Sequence, residues 1–369
     1  MNEISKGDNN TRLIYLDACK IFAMFFIVVM SISAGAWSIV EINTTDWQIL
    51  NVYNSLSRFC IPLFLMLTGA LFLSDKKEIT IKGLFKDHII RIVTAFFVWS
   101  IVYVLFYYWL YAPAGFSEFT VYGFIDGVLR GDPYKHWFIF LSISLYFLIP
   151  ILRTIAKNLT VVKYFLVLWV IFSLIFPAIE QIPLIFDNLP TVAQEIINQI
   201  INASERIKPL MVLDYVGYFM LGYYIHAKSF SKKSGIRFLI YGILAFVFTL
   251  GMTTYVTMRD GAQTEMFFNN ISLNIALFAA SVMVVAKVFL GNKWYKDRTY
   301  KSIKFFSDGA FGIFLTHDFI RVLLEKVGFG TLTISPILSV PILAIIIFII
   351  SGLLVYIIRK IPIVGKYIV

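Results

Sequence analysis

The chain has 369 residues, 59% of them hydrophobic and only 15% charged, with a mean hydropathy of +0.81. Soluble domains carry about a quarter charged residues, so this composition excludes an ordinary soluble protein and predicts an all-α integral membrane protein. The net charge of +10 is accounted for by basic loops on one side of a bilayer and needs no nucleic-acid partner.

Residues 1–12 form a polar tail, read as cytoplasmic, and the rest reads as a single transmembrane domain within 1–369. The first apolar run extends from Leu13 to Val40, well beyond the roughly 20 residues that cross a bilayer. Its length, and the charges Asp17 and Lys20 in its first turns, argue against a cleaved signal peptide despite the small residues Ser33-Ala34-Gly35-Ala36. At about 100° per residue, Lys20 and Ser31 share one face, with Asp17 close by. Two readings fit this seam. In one it faces a functional cavity. In the other Asp17 and Lys20 pair at the headgroups while Ser31 bonds its own helix.

The second run, Asn51 to Leu73, carries Arg58 about two turns inside the membrane and Pro62 four residues later. Pro62 has no N–H, so the carbonyl left without a helical partner is that of Arg58. An intramembrane arginine is a candidate functional group, with snorkelling to the interface as the alternative. Gly69, Gly217 and Gly222 are suited to close helix approach. Cys19 and Cys60 fall within apolar runs as small hydrophobes, and no metal-ligand or disulfide spacing is present.

Further runs bring the total to ten spans, at 14–40, 52–73, 89–112, 137–153, 160–179, 210–227, 236–258, 270–290, 306–326 and 336–358. Lys and Arg concentrate in every second loop, which places both termini in the cytoplasm. The loop 113–136 ends in Tyr134-Lys135-His136, at the mouth of a span, where His136 suits either binding or interfacial packing. The segment 180–209 contains an amphipathic stretch from Thr191 to Ile201. In the ninth span His317, Arg321 and Glu325 recur at i, i+4 and i+8. That spacing predicts a chain of charge-assisted bonds, either around an acid/base histidine or as a structural ladder between helices.

With these residues in view, the chain resembles the acyltransferase-3 family of bacterial membrane proteins, which includes inner-membrane O-acetyltransferases of cell-surface glycans. The resemblance spans nearly the whole chain. It rests on Tyr15-Leu-Asp17-Ala-Cys-Lys20, Arg58 through Pro62 to Gly69, Trp137 through Tyr146 to Pro150, Gly217 to Gly222, and Gly312-Ile-Phe-Leu-Thr-His317. It implies a multi-pass protein of the bacterial inner membrane with no bound cofactor. The donor would be cytosolic acyl-CoA, acetyl-CoA in an O-acetyltransferase, and the acceptor a hydroxyl of a cell-surface glycan or lipid-linked sugar. One position departs from the family pattern of a basic residue, ten intervening residues and a histidine. Lys20 stands at the basic position, keeping the charge but losing bidentate phosphate geometry. Ser31 stands at the histidine position and cannot serve as a base near neutral pH without one beside it. His136 also lies one place later than the family histidine before the fourth span.

The resemblance implies a cavity lined by Asp17, Lys20, Ser31, Arg58, His317 and Arg321. Asp17 and Lys20 would hold acyl-CoA, His317 would be the catalytic base, and Arg58, His136 and Arg321 would contact substrate. Three readings stay open: a working acyltransferase using His317 or another base, an inactive form owing to Ser31, and a non-enzymatic transporter or sensor of a small ligand.

Overall fold

The computed structural model describes residues 13–74, 79–110, 120–130, 136–186, 189–207, 214–291, 297–362 and 364–368; the side chains of His136 and Trp137 lie outside the described residues. Regular structure among them is helical, with no strand. The chain begins with α1 (Ile14–Trp37), α2 (Thr45–Ser57), α3 (Cys60–Phe72) and α4 (Ile81–Leu110), the last with a π-helical turn at Phe85–Ile89. α5 (Val121–Arg130), α6 (His136–Ala156), α7 (Leu159–Ile185), α8 (Thr191–Ile207) and α9 (Asp214–Ala227) follow. The last elements are α10 (Lys232–Asp260), α11 (Leu273–Leu290), α12 (Asp297–Lys326), α13 (Pro336–Arg359) and α14 (Val364–Ile368).

α1 is the axis of the bundle. Apart from Asp17, Lys20, Ser31 and Ser33 it is almost wholly apolar, so it is stable only when surrounded. It packs against α2, α3, α11, α12 and α13. Around this axis the chain runs up and down, and the ends fall into two sets. One, the basic end, carries Lys82, Lys86, Arg153, Lys228, Lys287, Lys301 and Arg359. Basic side chains there close helix C-termini, where carbonyls lack helical partners. Arg153 Nη1 donates to Phe72 O at the end of α3 (2.8 Å), and Lys287 Nζ donates to Ile225 O and His226 O at the end of α9 (2.8 and 2.6 Å).

The gap expected in the helical ladder at the Arg58 carbonyl is present. α2 stops at Ser57, and the ladder resumes only with Leu63 N donating to Phe59 O (2.9 Å). Pro62 gives Arg58 O no donor, so the helical ladder is interrupted there while Arg58 and Phe59 keep right-handed helical dihedrals. The close helix approach expected at the glycines is also present. A Cβ on Gly222 would lie 1.9 Å from Met66 O, and one on Gly69 would lie 1.9 Å from Phe219 O, so the α3 and α9 backbones touch. Trp169 lies in the notch at Gly217 and donates its Nε1 to Asp214 O (2.7 Å).

Among the described residues eight helices are long and apolar enough to cross a membrane, where ten runs were expected over the whole chain. Two expected spans, 210–227 and 306–326, are absent from that set. α9 is described from Asp214 onward, and the start of the expected 210–227 span lies outside the described residues. α12 is longer but carries Asp308, His317, Asp318, Arg321 and Glu325. The physical reason is burial: Ser307, Thr316, His317 and Asp318 are all buried against neighbouring helices, where protein rather than hydrocarbon satisfies them.

Candidate active site

The polar residues of α1 and α12 come together where the two helices pack. Toward the basic end Ser307 Oγ donates to Asp17 Oδ1 (2.5 Å), so the Asp17 carboxylate joins the two helices. About four turns along α1, Ser31 Oγ donates to Asp318 Oδ1 (3.0 Å). The same carboxylate oxygen accepts from Arg321 Nε (2.6 Å), and Arg321 Nη1 donates to Glu325 Oε2 (3.1 Å). Ser31 therefore does not bond its own helix; that bond belongs to Ser33, which donates to Val29 O (2.8 Å). The expected i, i+4, i+8 chain forms in its Arg321–Glu325 half, while Arg321 takes Asp318 rather than His317 as its other partner.

His317 is 2% exposed. Its Nδ1 lies 2.7 Å from Phe314 O and 3.2 Å from Ile313 O, both acceptors, so Nδ1 carries the proton and Nε2 holds the lone pair of the neutral ring. Tyr103 of α4 reaches into the same turn. Its hydroxyl donates to Leu315 O (2.8 Å) and accepts from Phe319 N (3.2 Å), two backbone groups four residues apart that bracket His317. A side chain entering the helical ladder sets the local backbone angle. Tyr103→Phe removes both bonds and should destabilise the chain by about 1 kcal/mol; a thermal melt of the purified variant checks this.

Two recesses flank this line. Toward the basic end a cavity of about 240 Å³ is lined by Lys20, His88, Arg91, Tyr146, Asp308 and Phe311 among others. At the other end a vestibule of about 430 Å³ is lined by Gly35, Ile39, Arg321, Glu325, Thr331 and Thr333 among others. Between them stand the Phe138–Phe314 pair (5.1 Å between ring centroids) and His317, whose ring is 6.0 Å from that of Phe314. A larger recess of about 530 Å³ between α1, α10 and α11 is almost wholly apolar. Its hydroxyl, Ser281 Oγ, donates to Leu277 O, so it offers no chemistry.

The family profile described as an acyltransferase domain matches residues 13–356, from α1 through most of α13. This chain belongs to the acyltransferase-3 family. No curated protein and no solved structure matches it. The match takes in both helices of the polar line, and with the apolar helices it makes the protein a membrane acyltransferase by family.

Of the residues singled out from the sequence of this acyltransferase, Asp17, Ser31 and Arg321 lie along the α1–α12 contact, His317 stands next to Asp318 on α12, and Lys20 lines the adjoining cavity. Arg58 does not join them; its side chain meets Asn54 and Phe268. His136 opens α6, and its side chain lies outside the described residues. Sequence reasoning passed over His88 and Arg91, whose basic character merged with the loop charge that gave the topology. It also passed over Asp318, adjacent to His317 but off the i, i+4, i+8 face, and Tyr103, one aromatic in a run of them.

Proposed function

We propose that this acyltransferase is an O-acetyltransferase that takes an acyl group from cytosolic acyl-CoA and passes it to a hydroxyl of a cell-surface glycan or its lipid-linked precursor. One observation carries the reading. α12 links the cation-lined cavity, through Asp308 and Phe311, to the vestibule, through Arg321 and Glu325, with His317 between them. By the positive-inside rule the basic end is cytoplasmic. CoA phosphates would then sit at the mouth near Lys20, His88 and Arg91, with the thioester directed toward Phe138 and Phe314.

The acceptor would enter from the vestibule, its hydroxyls oriented by Arg321 and Glu325. His317 Nε2 takes the proton of the attacking hydroxyl as its oxygen bonds to the thioester carbonyl carbon. The tetrahedral intermediate collapses by breaking the C–S bond, and the departing CoA sulfur receives the proton back from His317. The products are the sugar ester and free CoA. Burial of His317 suits transfer over hydrolysis, since water competing for the acyl group is kept away. Asp318, held by Ser31 and Arg321, fixes the turn next to the base.

Ser31 sharpens the test. Its hydroxyl already contacts Asp318, so an imidazole at position 31 would have a carboxylate partner, the arrangement that orients a general base. Binding and hydrolysis of acetyl-CoA should be followed for the purified chain and for Ser31→His in nanodiscs. Both forms should bind acetyl-CoA. If only Ser31→His turns it over, the chain is a transferase whose base is lost at position 31. If neither form binds acetyl-CoA, the transferase reading fails, and a transported or sensed ligand takes its place.

A further inference from the structure

Gly35 of α1 and Ile39 just beyond its end line the vestibule, while Trp37 faces α2, which holds a second polar centre. On α2, Trp47, Asn51, Asn54 and Arg58 follow one another at steps of four, three and four residues, one helix face. Trp47, Asn51, Asn54 and Ser55 are fully buried, yet this face is left with bonds unmade. Four donors have no partner: Nε1 of Trp37 and Trp47, Nδ2 of Asn54 and Nε of Arg58. Ser55 Oγ, Thr253 Oγ1 and the acceptor Asn51 Oδ1 share that condition. The groups are contiguous. The Trp37 ring lies 6.0 Å from Trp47 and 5.5 Å from Phe268, and the Arg58 guanidinium sits 4.1 Å over Phe268. Asn51 Nδ2 donates to Thr254 Oγ1 of α10 (2.9 Å).

Arg58 itself is under-compensated. It makes one hydrogen bond, to Asn54 Oδ1 (2.7 Å), and no carboxylate among the described residues stands within ion-pair distance. Glu265, exposed in the 261–272 loop, is the carboxylate whose charge reaches it from farther away. A buried guanidinium without a counter-charge, with spare N–H donors around it, is costly to fold and suited to an acceptor-rich anion. Asn51 Oδ1 calls for a donor as well, and the tryptophans supply ring faces. We propose that this nest binds an acidic sugar group, a carboxylate or phosphate carried on a hydroxylated ring, with Arg58 and the indole N–H groups on the oxyanion and Asn51 Oδ1 on a ring hydroxyl. A groove of about 470 Å³ between α2 and α10, lined by Gln48, Val52, Gly251, Thr254 and Tyr255, adjoins the nest at Thr254, whose hydroxyl accepts from Asn51 Nδ2. The site stands apart from the α1–α12 line, so it does not depend on the donor chemistry.

The test is equilibrium binding of glucuronate, glucose 6-phosphate and glucose to the full chain in nanodiscs, together with thermal melting of the ligand-free protein. At least one charged probe should bind saturably and about tenfold or more tightly than glucose, and the tighter of the two names the carboxylate or the phosphate. Trp47→Phe keeps the ring and removes one donor, so it should weaken binding severalfold at an unchanged melting temperature. Arg58→Gln should abolish binding and raise the melting temperature of the ligand-free protein, because it removes an uncompensated charge. The proposal is overturned if neither charged probe binds or if glucose binds equally well. It is also overturned if Arg58→Gln lowers the melting temperature while Trp47→Phe binds as the native chain does, which would make the nest a structural polar core.

Discussion

His317→Ala should abolish acyl transfer to the acceptor while leaving the melting temperature close to that of the native chain. On the proposed mechanism, removing a positioned general base costs about 10²–10⁴-fold in rate, and the Nδ1 bonds to Phe314 O and Ile313 O are made within α12 itself. The carbonyls released are already in helical geometry, which limits the structural cost to that of a small cavity. Transfer measured with acetyl-CoA and isolated acceptor, alongside a melt in detergent, separates the two effects. Undiminished transfer by the alanine variant would remove His317 from the mechanism and move attention to Asp318, 3.0 Å from Ser31. A simultaneous loss of activity and folding would instead point to a structural histidine.

Gly222→Ala should be the most damaging single methyl addition at the α3–α9 contact. The new Cβ would fall 1.9 Å from Met66 O, a backbone atom that cannot rotate away, and the reciprocal contact at Gly69 locks the same pair. Relief requires separating α3 from α9, and with it the Arg153 bond to Phe72 O that ties α6 to the end of α3. Overpacking a core costs about 1–3 kcal/mol when side chains can adjust, and a backbone clash should lie at or above the top of that range. Gly251→Ala is the control: it lies within α10, and a Cβ there meets nothing within 4 Å. That change should stabilise by about 0.5–1 kcal/mol through helix propensity. Monodispersity on gel filtration and melting temperature report both variants. A Gly222→Ala chain that melts with the native one would mean that α3 and α9 are not in backbone contact.

The sequence by itself determined the class and much of the path of the chain. Hydrophobic content, recurrent apolar runs and alternating basic loops are summed over hundreds of residues, so they survive local exceptions. The gap in the ladder at the Arg58 carbonyl was legible because a proline four residues on removes a specific donor. The close approach at Gly222 was legible because only a missing side chain lets two helix backbones touch. The identity of the family was legible because its motifs are short runs of contiguous residues.

Tertiary structure decided what those local signals could not reach. Ser31 and Asp318 are 287 positions apart in the chain, and nothing within either helix says that a serine hydroxyl will find that carboxylate. Periodicity put His317 and Arg321 on one face, yet the arginine turned to Asp318, because opposite charge at three residues outweighs shared phase with a histidine. Arg58 carried an equal claim to the α1–α12 site until helix packing turned the α2 face, with its unpaired donors, toward Trp37 and Phe268. Hydropathy counted the polar helix α12 among the spans, but only its neighbours reveal that it is charged because it is enclosed. Composition and pattern are properties of one segment at a time, whereas a site is a property of which faces meet.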